Sequence, residues 1–148
     1  MSGFKIYANI DSAVYKATAD ITGYDQKTKE AIKSAISAGV DAIRDRAIRA
    51  APAGATGNLK AGIKAEMSKS GSSGVIKSTS PHSHIVEFGT GPRITMNRLN
   101  SHKKSLVING SFVKGMINNG KMPAKPFMRP AVEAEKPKIE ESIKKVLQ

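Results

Sequence analysis

Ile32-Lys33-Ser34-Ala35-Ile36-Ser37-Ala38-Gly39-Val40-Asp41-Ala42-Ile43-Arg44-Asp45-Arg46-Ala47 carries the clearest structural signal in this chain. Ile32, Ile36, Val40, Ile43 and Ala47 recur at spacings of four, four, three and four, so they share one face of a helix. Lys33, Asp41, Arg44, Asp45 and Arg49 fall elsewhere on the wheel and are expected in water. The pattern predicts a helix from about Asp25 to Ala51. Pro52 ends it, because the residue before a proline is biased away from helical angles. Gly39 inside this helix costs about 1 kcal/mol relative to Ala. It either admits close packing against another element or is simply tolerated.

Downstream, Ala53-Gly54-Ala55-Thr56-Gly57 reads as a tight connection with two glycines for unusual backbone angles. Leu59 and Ile63 then lie on one side of a short helical turn or of a strand entry. Residues 62–67 and 74–78 flank a polar turn, Ser68 to Ser73, and read as two antiparallel strands. His84-Ile85-Val86-Glu87-Phe88-Gly89 is expected to be a further strand, central or covered on both sides. In the basic stretch that follows, Leu106-Val107-Ile108 and Phe112-Val113 flank Asn109-Gly110, a strong hairpin signal. Pro123, Pro126 and Pro130 are expected to hold an extended run. A last helix follows, with Ile139, Ile143, Val146 and Leu147 on one face and Pro137 in its first turn or at a kink.

Upstream, Phe4, Ile6, Ala8 and Ile10 alternate with polar residues, as in a short strand or extended arm. Asp11 or Ser12 is expected to cap a short helix through Val14, Tyr15 and Ala19, ending near Gly23. The fold class that follows is α+β. A long N-terminal amphipathic helix and a C-terminal helix pack on a small antiparallel sheet, with a projecting basic β-hairpin. The 148 residues suit a single domain. Its parts are an arm and short helix (1–24), the long helix (25–51), strands (59–92), the basic hairpin arm (93–121), and the Pro-rich run with the last helix (122–148).

Composition narrows the chemistry. Hydrophobic residues make up 39% but aromatics only 5%, so the core is expected to be mainly Ile, Val, Leu and Ala. With no Cys there is no disulfide framework, thiolate nucleophile or Cys-ligated metal. No apolar run approaches the ~20 residues that span a bilayer. The N-terminus lacks a signal-peptide core. A soluble protein made in the cytoplasm is the expectation, with no membrane association.

Net charge is +12, which opens a basic nucleic-acid-binding module as an alternative reading. Its distribution is uneven: between Glu87 and Glu133 there is no acid, while Arg93, Arg98, Lys103, Lys104, Lys114, Lys121, Lys125 and Arg129 all fall there. A solvated basic loop, an acidic protein neighbour and DNA each account for such a tract. From Arg93 onward its only aromatics are Phe112 and Phe127, few for a stacking surface.

Enzymatic signatures are weak. His82, His84 and Glu87 form the best metal-like cluster, but on a strand Glu87 points away from His84. There is no Gly-x-Ser-x-Gly elbow and no phosphate loop closing on Gly-Lys-Ser or Gly-Lys-Thr. No catalytic residue, cofactor, metal or small-molecule substrate is expected.

Three stretches, in order, resemble a known family: Thr56-Gly57-Asn58-Leu59, His84-Ile85-Val86-Glu87-Phe88-Gly89-Thr90, and Pro123-Ala124-Lys125-Pro126-Phe127-Met128-Arg129-Pro130-Ala131. They are similar to motifs of the HK97-type "gene product ten" group, neck or tail-completion proteins of long-tailed bacteriophages. The resemblance implies a non-enzymatic virion protein at the head–tail junction, made in the host cytoplasm and assembled as a homo-oligomeric ring around the DNA channel. Implied partners are head-closure, tail-terminator or tail-tube proteins, with genomic DNA in the channel as a further contact. Interface residues expected on this reading are Glu87, Phe88, Arg93, Arg98, Lys103, Lys104, Lys114, Phe127 and Arg129. Within it, Phe127 is a rigid anchor between prolines, facing its own core or a neighbouring subunit. Arg129 is expected to pair with Glu87, the lone acid nearby.

Overall fold

The computed structural model describes residues 4–6, 23–96, 106–108, 110–113 and 116–148. The short helix expected after Asp11 or Ser12, and the extension of the first strand to Ile10, lie outside these residues.

Helix α1, Gln26–Ala50, forms as the apolar spacing predicts. Asp25 caps it: its carboxylate accepts the Thr28 N–H at 3.3 Å, meeting one of the donors that a helix start leaves open. Ala51 before Pro52 takes φ −61°, ψ 132° and ends it. The buried positions are Ile32, Ile36, Gly39, Val40, Ile43 and Ala47, the predicted face plus the glycine. One short helical turn, α2 (Asn58–Ala61), follows Gly57 at φ +65°, which decides between the turn and the strand entry left open at Leu59.

Strand β1 is Phe4–Ile6, β2 Ile63–Met67 and β3 Gly74–Ser78. They form one antiparallel sheet in the order β1-β3-β2, with Phe4 and Ile63 both opposite Ser78 and Met67 opposite Gly74. Serine hydroxyls and backbone hold the turn, with the Ser68 N–H donating to the Ser73 carbonyl at 2.8 Å. Ile63 of β2 and Ile76 of β3 are buried in the core.

The expected strand at His84–Gly89 is instead a helix, α3, Ser83–Phe88. Six residues are too few for a 3.6-residue period to show, and Ile85-Val86 raises strand propensity without deciding it. Beyond it, β4 (Ile94–Met96) pairs with β7 (Met116–Asn118), and β5 (Leu106–Ile108) with β6 (Ser111–Val113). Ile108 pairs with Ser111 and Gly110 takes φ +81°, in keeping with the predicted hairpin. Among the described residues these strands pair with each other and not with the three-stranded sheet.

The last helix, α4, runs Met128–Leu147 and so starts earlier than its C-terminal pattern predicts. Pro130 sits in its first turn, where a missing N–H costs nothing. Pro137 lies in its interior, on the exposed side, so the Glu133 carbonyl loses its helical partner where water reaches. Packing outweighs that loss. Helix α4 lies along α1 and buries Met128, Ala131, Val132 and Ile143 against it. At the crossing, a Cβ on Gly39 would stand 2.4 Å from Ile139 Cγ1. Gly39 is there for close approach. Helix α1 also packs on β2 and β3, so the core is one sheet and two long helices in an α+β fold.

Candidate functional site

Two of the sequence motifs come together as one unit. Phe127 is the N-cap of α4 and offers no side-chain hydrogen bond to its own helix. A helix start leaves four N–H groups without intrahelical acceptors. Here the buried Glu87 carboxylate of α3 takes three of them: Oε2 accepts from Phe127 at 2.8 Å and Met128 at 3.0 Å, and Oε1 from Arg129 at 2.9 Å. The fourth position is Pro130, which has no N–H. A negative charge at the helix N-terminus is also favoured by the helix dipole.

The surrounding residues complete this clasp. Val86 O accepts the Lys125 N–H at 2.8 Å, and the Thr90 N–H donates to Met122 O at 2.9 Å. Thr90 Oγ1 accepts from Met122 N at 2.9 Å. Between them Gly89 takes φ +73°, and a Cβ there would stand 2.6 Å from Met122 O. No other residue satisfies both constraints cheaply. Phe127, fully buried, fills the space beneath.

Of the expected interface residues, Glu87 and Phe127 are thus inside the protomer. The expected Glu87–Arg129 ion pair is corrected: Glu87 binds the Arg129 backbone, while the Arg129 guanidinium faces Glu133 at 3.4 Å on the surface. Phe88 and Arg93 are exposed, Phe88 at 61% and neighbouring Ile94 at 50%. Arg98, Lys103, Lys104 and Lys114 lie outside the described residues. Ile94 was not anticipated; its place at the foot of the hairpin, after Gly91-Pro92, is the signal that could have found it.

A family model described as "Bacteriophage HK97-gp10, putative tail-component" matches residues 16–89, half of the 148-residue chain. The chain belongs to the HK97-gp10-like family. It is a bacteriophage tail component by that membership, and hence a virion protein. No match was found among curated proteins or among solved structures. The HK97-gp10-like match spans α1, the Thr56-Gly57-Asn58-Leu59 turn, β2, β3 and α3, and ends at the clasp's Gly89. The Pro123–Ala131 motif lies beyond it, yet it is the segment that Glu87 and Gly89 hold.

A second polar link ties the two long helices of this HK97-gp10-like protein. Glu135 of α4, 7% exposed, accepts from Arg46 of α1 at 2.8 Å and from Lys138 at 3.0 Å. The Lys138 ammonium, with Arg46 beside it, holds the Glu135 carboxyl below the usual range against the opposing effect of burial. His84 and Glu87, three apart on a helix rather than a strand, share a side after all; both Glu87 oxygens are nonetheless taken by backbone N–H groups. His82 and His84 are exposed. Among the described residues no group of three or more His, Asp or Glu is placed to hold a metal ion, and no helix is long and apolar enough to cross a membrane.

Proposed function

We propose that this protein is a neck or tail-completion component, non-enzymatic, that assembles as a homo-oligomeric ring at the head–tail junction around the DNA channel. Family membership as a tail component supports the virion role. The observation that carries the finer reading is the clasp. Titratable and motif residues that an enzyme would direct at substrate are used here to lock α4 and to present Phe88, Arg93 and Ile94 outward. A rigid protomer suits the repeated heterologous contacts between copies that close as a ring, and the apolar and basic surface at Phe88, Arg93 and Ile94 is left for a neighbour above or below it. Head-closure, tail-terminator and tail-tube proteins are the neighbours this placement brings within reach.

The basic tract also fits the alternative of a nucleic-acid-binding module. The two readings separate cleanly. Gold-labelled antibody against this protein, imaged on intact virions, should mark the head–tail junction, and native mass of the purified protein should resolve a closed oligomer. Label scattered along the tail, or a monomer binding duplex DNA with a steep salt dependence, would contradict the neck reading.

A further inference from the structure

The exposed surface beside the clasp has a composition that selects its partner. Phe88 and Ile94 are the two most exposed large apolar side chains among the described residues. The chain between them is tied down: Thr90 bonds Met122, the Arg93 N–H donates to Gly120 O at 2.9 Å, and the Asn119 N–H returns to Arg93 O at 2.7 Å. A preorganised aromatic costs little ordering on binding. Arg93, Lys121 and Lys125, in the tract without acids, are all exposed as well.

Among the described residues, a second copy of this chain offers those cations only acids that already have partners. Among the described residues every acid is already engaged. Asp25 and Glu87 accept backbone N–H groups, and Glu30 accepts from Gln26. The rest face a Lys or Arg of the same protomer. A duplex phosphate backbone would neutralise the cations but gives Phe88 and Ile94 nothing apolar to bury against. Protein interfaces place an aromatic and Arg at the centre with a polar rim. We propose that Phe88 and Ile94, together with the exposed cations of this tract, dock into an apolar pocket rimmed by carboxylates on a different virion protein. This rests on the neck reading and names the class of neighbour it requires.

The test is photo-crosslinking in assembled virions. Benzoylphenylalanine is placed singly at positions 88, 94 and, as a control on the outer face of α4, 141. Each purified variant must first show the wild-type melting transition, which exposed positions permit. Residue-level mass spectrometry after irradiation should give the same partner from 88 and 94, through a segment of net negative charge, and not from 141. Phe88→Ser in the position-94 variant should cut that product about ten-fold, the scale of a lost hot spot. Products joining two copies of this chain, products on DNA, no product, or an undiminished yield with Phe88→Ser would each overturn the proposal. Gold labelling of the same particles distinguishes the failures. The expected crosslink on particles labelled away from the junction would sink the neck placement alone. Junction labelling with a self-crosslink would sink the docking alone.

Discussion

Glu87 serves as the N-terminal cap of a helix that begins forty residues later in the chain. Its replacement therefore separates two accounts of the motif. Glu87→Gln keeps the shape but removes the charge and sets an NH2 group against N–H donors. Leaving a buried donor unmet costs about 1–3 kcal/mol, so a loss of about 3 kcal/mol is expected in urea denaturation, against a total of roughly 5–15 kcal/mol for a domain of this size. Arg129→Ala should change stability by less than about 0.5 kcal/mol, because its pair with Glu133 is solvent-exposed at 70% and 68%. Equal losses in both variants would show that the guanidinium, not the backbone, is what Glu87 holds. Sequence reasoning paired Glu87 with Arg129 from charge scarcity. It found the right residue and the wrong atom, because a backbone N–H leaves no mark in side-chain composition.

Among the elements, legibility followed length and local chemistry. Helix α1 was readable because twenty-five residues show their period many times over, and the β5–β6 turn because Asn-Gly demands particular angles. Helix α3 was misread as a strand: one and a half turns of β-branched and aromatic residues look alike in either state. The start of α4 was hidden by prolines that break helices in general but fit its first turn and its wet side. Gly39 was left open between two readings, and its contact with Ile139 decides it. Gly39→Ala should thus fail to deliver the ~1 kcal/mol that Ala gains in a free helix, and should destabilise instead. Adding Ile139→Val should recover part of the loss. Strict additivity of the two changes in a double-mutant cycle would refute the close crossing.

The other tie between α1 and α4 is charged, so it titrates. The Glu135 carboxyl is held below its ordinary value of 4.5 in the folded protein. A depressed folded value means the native state holds the proton less tightly than the unfolded chain does. The contribution is therefore complete above the ordinary value and is lost as pH falls through the lower folded value. Urea midpoints of the native protein should drop between about pH 5 and pH 3, and Glu135→Gln should flatten that part of the profile while lowering the plateau near pH 7. Superimposable profiles would show that the Arg46–Glu135–Lys138 cluster does not couple the helices.

At the scale of the whole molecule, the α+β class, the two helices and the family all followed from the sequence, and the family match confirms the resemblance. What the sequence could not show was that two motifs some forty residues apart form one structure. That joining lives in tertiary contacts between Glu87, Gly89 and the backbone of 122–129. It leaves Phe88, Arg93 and Ile94 on the outside of a stiffened edge. The account's central claim is that the protein joins capsid to tail. Electron microscopy of particles produced under a nonsense mutation in its gene tests this most directly. Filled heads and separate, complete tails in place of phage are the predicted result, with complementation by the wild-type chain restoring joined particles. Joined, infectious particles at normal yield without the protein would contradict the account.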